Sequence, residues 1–198
     1  MLISIIYKEH QVYSFILTIL ICLAVGVILI FLRPKKLNFG PWMIIYLLSY
    51  CGLCVGIVLA LRQTSAAIAV GMQYASVIWL FIVSVIMTKK VEKSRVLPVV
   101  LITLGVVLFM LTGLEGSSMT GNLIAFTESI CFAFMTVGVK KCAGDNVLGL
   151  TALANLFTGF FVFAFLPPQF TDVLAFNGQE WIIMIILGTV QVGLGYAF

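Results

Sequence analysis

The chain has 198 residues, of which 63% are hydrophobic and only 9% are charged. So few polar residues cannot cover the surface of a water-soluble globular protein, and the composition predicts a polytopic membrane protein instead. The formal net charge is +4, but the lysines and arginines stand mostly between apolar runs rather than in one patch, which argues against a nucleic-acid-binding protein.

Apolar runs long enough to cross a bilayer as helices need roughly 20 residues at 1.5 Å per residue. Seven runs meet this length: Ser14–Leu32, Trp42–Leu61, Ala66–Met87, Val96–Leu114, Gly121–Val139, Val147–Leu166 and Trp181–Phe198. Each should be an α-helix, because lipid offers no partners to open backbone groups and a barrel would show shorter, alternating strands. The predicted fold class is all-α, a polytopic transmembrane helical bundle with seven spans.

The loop charges predict the orientation of these spans. One set of alternate loops carries most of the basic residues, namely Arg33, Lys35, Lys36, Lys89, Lys90, Lys93, Arg95, Lys140 and Lys141. The opposite side carries Lys8 and Arg62. Basic loops stay in the cytoplasm, so the first residue is expected on the external side.

Both ends of the sequence are unusual for a complete multi-span protein. The amino terminus is expected on the external side, yet the first run lacks the cleavage pattern of a signal peptide. Such a start is unusual for a multi-span inner-membrane protein. The chain stops at Phe198, inside an apolar run and with no basic anchor after it. We therefore expect a chain that is incomplete at both ends.

An internal repeat relates the second span to the last. Placing Trp42–Gly56 over Trp181–Gly195 matches the two tryptophans and the two final glycines. The loop that precedes Trp42 is basic, whereas the segment 167–172 before Trp181 has no lysine or arginine. The two copies therefore enter from opposite sides, which is typical of the inverted-topology repeats of alternating-access transporters.

Four segments resemble the EamA-type family of the drug/metabolite transporter superfamily: Thr64–Trp79, Leu104–Phe109, Gly121–Ala133 and Leu187–Tyr196. The resemblance implies ten helices in two inverted halves, of which this chain would hold helices two to eight. Residues 1–114 would then be part of the first repeat and residues 121–198 part of the second. It also implies a secondary transporter of small metabolites or drug-like solutes in the cell inner membrane. The register predicts an external amino terminus, in agreement with the loop charges.

Gln73 and Tyr74 lie side by side near the middle of their predicted span. Polar side chains at that depth need partners, so they face protein or a water-filled cavity. They match a glutamine and a tyrosine of the EamA-type family, which implies contact with the solute; the alternative is a hydrogen bond that only joins helices. The chain departs from the family at Val77, where proline is usual, and at Lys89, near the usual position of a glutamate.

Glu128 is the carboxylate that falls inside a predicted span. A charge at that depth is costly, so the group is neutral, paired or open to water. A carboxylate that exchanges a proton as the cavity alternates would couple transport to a proton gradient; otherwise Glu128 is a pore-lining acid that attracts cations. The EamA-type family usually has a small or hydroxyl residue at this place.

Tyr50, Asn155 and Gln191 are further polar residues deep in spans and complete the predicted substrate-binding set. In the repeat alignment Gln191 falls on Gly52, two positions from Tyr50, so the two side chains need not share a face. The alternative for these residues is helix packing through local hydrogen bonds.

No motif predicts an enzyme, a metal site or a cofactor. Cys51 and Cys54 share a helix face, but no second pair or placed histidine completes a four-ligand set, so packing is the favoured interpretation. The expected partners are a small-molecule solute and the lipid bilayer, with the oligomeric state open between a monomer and a homodimer. A seven-helix receptor or a non-transporting structural subunit remains the alternative, although a retinal protein would need a lysine in Trp181–Phe198.

Overall fold

The computed structural model describes residues 40–112, 118–142 and 146–165, together with residue 178. The described chain folds into helices joined by short connections, which confirms the all-α prediction for this part. The helices are α1 (Pro41–Gln63), α2 (Ala66–Gln73), α3 (Ser76–Thr88), α4 (Lys93–Thr112), α5 (Met119–Cys142) and α6 (Val147–Phe165).

Three helices of the described part are long and apolar enough to cross a membrane: Pro41–Gln63, Ala67–Thr88 and Met119–Cys142. The second of them consists of α2 and α3 taken together. Gly149–Phe165 is a shorter apolar helix. These helices mark the chain as a membrane protein. The predicted spans Val96–Leu114 and Val147–Leu166 are helical where they are described and stay predictions as spans, while Ser14–Leu32 and Trp181–Phe198 lie outside the described residues.

Local sequence accounts for several helix ends. Pro41 stands in the first turn of α1, where its missing N–H costs no hydrogen bond. Ser65 caps α2, because its Oγ accepts a hydrogen bond of 3.3 Å from the Ile68 N–H. The helix α3 stops at Lys89, whose φ of 52° places it in the left-handed region.

Glycines bring α1 and α5 together as an antiparallel pair. A Cβ added at Gly56 would stand 2.8 Å from Glu128 Cγ, and one added at Gly52 would stand 2.8 Å from Cys131 Sγ. Near the ends of the pair, Gly121 packs on the backbone of Gln63, and Gly138 packs on Tyr46. The backbones approach this closely because the four positions carry no side chain, as is common between membrane helices.

The remaining helices pack around this pair. The segment formed by α2 and α3 lies against α5, and α6 lies mainly against α1. The helix α4 contacts α2 and α3 and is peripheral in the described part, with a row of exposed leucines at Leu97, Leu101, Leu104 and Leu108. Since α5 contacts α1, α2 and α3, its side chains occupy the centre of the described bundle.

The basic residues gather at one end of the helices. The ammonium group of Lys141, near the end of α5, lies 6.0 Å from the centre of the Trp42 ring at the start of α1. Since α2 and α3 run in the same direction as α5, the end of α3 and the start of α4, with Lys89, Lys90, Lys93 and Arg95, lie towards that end as well. Arg62 lies at the opposite end of α1.

Candidate functional site

The side chains of Gln73 and Glu128 meet between the end of α2 and the middle of α5. Gln73 Nε2 donates a hydrogen bond of 2.9 Å to Glu128 Oε1, across 55 positions of sequence. Glu128 is only 2% exposed, whereas Gln73 is half-buried. Two residues predicted as substrate-binding and proton-coupling groups therefore form one contact.

The two oxygens of this buried carboxyl group differ in their hydrogen bonding. Glu128 Oε2 is buried and has no hydrogen-bond partner among the described residues. Nearly all buried polar groups in proteins are paired, because an unpaired one loses its hydration without compensation. An unpaired carboxyl oxygen at the centre of a membrane bundle is therefore a place where a proton or a hydrogen-bond donor can bind.

The helix carrying Gln73 changes its hydrogen-bonding pattern at this point. The N–H groups of Tyr74, Ala75 and Val77 bond to the carbonyl three residues back, at 3.0 to 3.2 Å, instead of continuing the α-helical pattern. The regular helix ends at Gln73 and resumes at Ser76. A tight turn inside a span marks a place where helices bend. This turn forms without a proline, because position 77 is a valine.

A second polar contact fixes α3 to α5 beside Glu128. Trp79 Nε1 donates a hydrogen bond of 2.9 Å to Ser129 Oγ, and the Trp79 ring lies 5.7 Å from the Phe126 ring. The Ser129 hydroxyl donates in turn to the Phe126 carbonyl at 2.5 Å. Neither Trp79 nor Ser129 was predicted as a site residue, although a serine directly after the buried glutamate is a usable signal. This contact holds the backbone of Glu128 in place.

Next to Glu128, a groove of about 300 Å³ opens between α1 and α5. Its lining is formed by Gly52, Gly56, Thr120, Leu123, Ile124, Thr127, Glu128 and Cys131. Gly52 and Gly56 form the α1 wall of this groove with backbone atoms, which lie close to the side chains of Cys131 and Glu128. We call it the α1–α5 groove; Glu128 is the acidic residue of a lining that is otherwise apolar or carries a hydroxyl or thiol group.

Tyr50 and Asn155 form a separate contact between α1 and α6. The Tyr50 hydroxyl donates to Asn155 Oδ1 at 3.2 Å, and Asn155 Nδ2 donates to the Thr151 carbonyl at 2.9 Å. Both residues are buried, at 3% and 0% exposure, and Tyr50 packs in an apolar cluster that includes Met43 and Leu150. Every polar atom of this contact that the structure describes has a partner, so the arrangement fits the packing role considered for these residues.

Of the two remaining predicted site residues, Tyr74 is described by the structure. Tyr74 is 67% exposed in the described chain, so its ring points away from the Gln73 contact. Gln191 lies outside the described residues. A further buried hydrogen bond, 2.6 Å from Thr64 Oγ1 to Asn122 Oδ1, joins the connection between α1 and α2 to α5, and no sequence pattern had selected it.

Comparison with known proteins adds no relative to this description. No family model matches the chain, and neither the curated proteins nor the solved structures gave a match. The resemblance to EamA-type transporters therefore rests on the residues quoted in the sequence analysis, and the buried pair of Gln73 and Glu128 is the strongest candidate for a functional site.

Proposed function

We propose that the chain belongs to a secondary membrane transporter of the EamA type. It carries small metabolites or drug-like solutes by alternating access between two inverted repeats, with Glu128 exchanging a proton during the cycle. The observation that carries this proposal is the buried carboxyl group of Glu128, with one oxygen bound to Gln73 and the other unpaired.

The position of Glu128 is the first support. It stands nine residues after the start of α5, a depth of about 13 Å along a helix that can cross the membrane. Ionisable residues at such depth are costly, and they are rare unless they serve a solute, an ion or a proton. A residue kept only for packing could be replaced by an apolar side chain at no loss.

The interrupted helix is the second support. Transporters commonly bind solutes where a membrane helix departs from regular geometry near the midplane, because freed backbone groups and polar side chains meet there. The turn at Tyr74 and Ala75 is adjacent to Gln73, which holds Glu128. A rearrangement of this turn would move the Gln73 amide and thereby change the environment of the carboxyl group.

The membrane orientation follows from the distribution of charge. The end of the bundle with Lys89, Lys90, Lys140 and Lys141 is assigned to the cytoplasm of an inner membrane. Residue 1 is then external. In this orientation Glu128 lies nearer the external end of its helix, and a proton would reach it from that side when the bundle opens outward.

The experiment is uptake into liposomes that contain the purified protein, with an imposed proton gradient. A panel of labelled amino acids, nucleosides, sugars and the dye ethidium serves as the set of solutes. Uptake of at least one solute above protein-free liposomes is expected. If no solute on the panel moves, with or without a gradient, the transporter proposal is rejected in favour of a receptor or a structural subunit.

A pair of glutamine variants locates the site. Gln73→Ala removes the hydrogen bond to Glu128 and should lower uptake roughly fivefold or more, since one lost bond of about 1 kcal/mol has that effect on an equilibrium. Gln63→Ala is the matched control, because its side chain is exposed at the end of α1. Equal uptake by the two variants would reject Gln73 as a site residue.

A further inference from the structure

One side of α1 is left uncovered by the described helices. Its exposed large apolar side chains are Ile44, Ile45 and Leu48. Steps of three and four residues lead from position 45 to 48 and on to Gly52, so these residues share a helix face. Gly52 is also part of the wall of the α1–α5 groove, which is lined almost wholly by apolar atoms. This free face of α1 and the groove therefore form one continuous apolar surface.

We propose that the predicted span Ser14–Leu32 of the same chain packs on the free face of α1 and fills the α1–α5 groove. The span lies outside the described residues, and its apolar run predicts a helix. The inference goes beyond the proposed function, because the packing holds whether or not the chain transports a solute.

The length of the connection places this span beside α1. Only eight residues, 33–40, separate Leu32 from Pro41 at the start of α1. Connections this short usually join helices that are antiparallel neighbours in a bundle. The other sides of α1 already contact α5, α6 and, near the end, α2. The free face is the side of α1 that the described helices leave for a neighbour.

The charges of the connection agree with this placement. The connection carries Arg33, Lys35 and Lys36. At the start of α1, Trp42 lies beside Lys141, at the end of the bundle where the basic residues gather. A basic connection at the basic end keeps its charges on one side of the membrane, as the positive-inside rule expects. The span would then reach α1 from the opposite side of the membrane and run antiparallel to it.

The side chains of the span match those of α1 in level and in size. Cys22 lies 10 residues before the end of the span, and Gly52 lies 11 residues after the start of α1. Both are thus about 15 Å from the connection by helical rise. Small residues on both helices permit a close approach. On the span they recur at every fourth position, which places them on one face: Ser14, Thr18, Cys22 and Gly26.

Two native cysteines test this packing. A Cβ added at Gly52 would stand 2.8 Å from Cys131 Sγ, so a span with Cys22 level with Gly52 brings Cys22 close to Cys131. The wild-type protein in lipid nanodiscs is treated with the short thiol crosslinker 1,2-ethanediyl bismethanethiosulfonate. Trypsin then places Cys22, Cys131 and the pair Cys51 and Cys54 on three different peptides, since lysine or arginine separates them. Mass spectrometry should find the Cys22 peptide joined to the Cys131 peptide.

A matched control moves the thiol to the other side of the span at nearly the same level. In Leu20→Cys combined with Cys22→Ser, the thiol is turned by about 200° around the helix, and the yield of the crosslink should fall about fivefold or more. If this variant does not fold, Ala24→Cys combined with Cys22→Ser gives the same turn in the other direction.

An equal mixture of ¹⁴N-labelled and ¹⁵N-labelled protein shows which chain supplies Cys22. Crosslinks within one label only are expected. Mixed-label crosslinks would mean that a second copy covers the face and would overturn the proposal. Absence of the crosslink in the wild-type protein, as when lipid or another segment fills the groove, would overturn it too, and so would an equal yield in the control variant. Loss of transport with this crosslink intact would reject the transport function and leave the packing standing.

Discussion

The contact of Gln73 with Glu128 and the contact of Tyr50 with Asn155 both join helices through buried polar groups, yet they differ in completeness. Asn155 uses its oxygen on Tyr50 and its nitrogen on the Thr151 carbonyl. Glu128 uses one oxygen on Gln73 and leaves the other unpaired. The first contact lies between two regular helices, and the second lies beside a helix interruption and a groove.

This difference shows that the depth of a polar residue in the membrane does not by itself identify it as functional. All four side chains are polar and lie inside helices, but a fully paired contact already holds its lowest-energy arrangement. A carboxyl group with a spare oxygen gains free energy when a proton or a donor arrives. Completeness of pairing therefore separates the packing contact from the candidate site.

The largest expected effect loosens the α1–α5 pair, which carries one residue of each contact, Tyr50 on α1 and Glu128 on α5. Gly121→Leu places a side chain where a Cβ would stand 2.7 Å from the backbone carbon of Gln63. Backbone cannot move aside as a side chain can, so we expect a loss of about 3 kcal/mol in the free energy of unfolding. Unfolding in mixed detergent micelles measures it.

The control for this change is Gly105→Leu in α4. A Cβ at Gly105 meets nothing within 4 Å, so the same substitution should leave the free energy of unfolding nearly unchanged. Similar losses in both variants would mean that the close approach of α1 and α5 is not what stabilises the bundle.

A smaller effect tests the packing role of Tyr50 and Asn155. Asn155→Ala leaves the Tyr50 hydroxyl without this acceptor inside an apolar cluster, and we expect a loss of about 1 to 2 kcal/mol. Tyr50→Phe removes the donor and should lose about 1 kcal/mol or less. The same unfolding assay measures both, and a stability equal to wild type in both variants would remove Tyr50 and Asn155 from the packing role.

The smallest effect on stability is expected at the candidate site itself. Glu128→Gln keeps the shape of the side chain and an oxygen that can accept from Gln73, so the free energy of unfolding should change by less than about 1 kcal/mol. Glu92→Gln, at an exposed ion pair of 2.6 Å, gives the reference for a surface carboxylate. A loss of about 3 kcal/mol or more in Glu128→Gln would instead indicate a buried charge held by a structural partner.

The sequence predicted the helices well because their cause is local. Long apolar runs must be helical in lipid, and the predicted span Trp42–Leu61 lies within the observed helix Pro41–Gln63. Likewise Gly121–Val139 lies within Met119–Cys142. The interruption at Tyr74 and Ala75 was not predicted, since Val77 replaces the proline that would have signalled a bend there.

The partners of the polar side chains could not be predicted, because they depend on which helices pack together. Gln73 and Glu128 are 55 positions apart, and Tyr50 and Asn155 are 105 positions apart. Polarity at membrane depth selected these residues individually. The packing of α2 on α5 brings Gln73 to Glu128, and the packing of α6 on α1 brings Asn155 to Tyr50. The same packing leaves one oxygen of Glu128 without a partner in the described chain.

The most direct test of the central claim is gradient-driven uptake by Glu128→Gln and Tyr50→Phe in the same liposomes. The solute is the one that the wild-type protein moves fastest from the panel, and uptake is expressed per folded protein. We expect Glu128→Gln to lose gradient-driven uptake while keeping exchange of solute, and Tyr50→Phe to keep both. Intact gradient-driven uptake in Glu128→Gln, or an equal loss in the two variants, would contradict the assignment of Glu128 as the functional group.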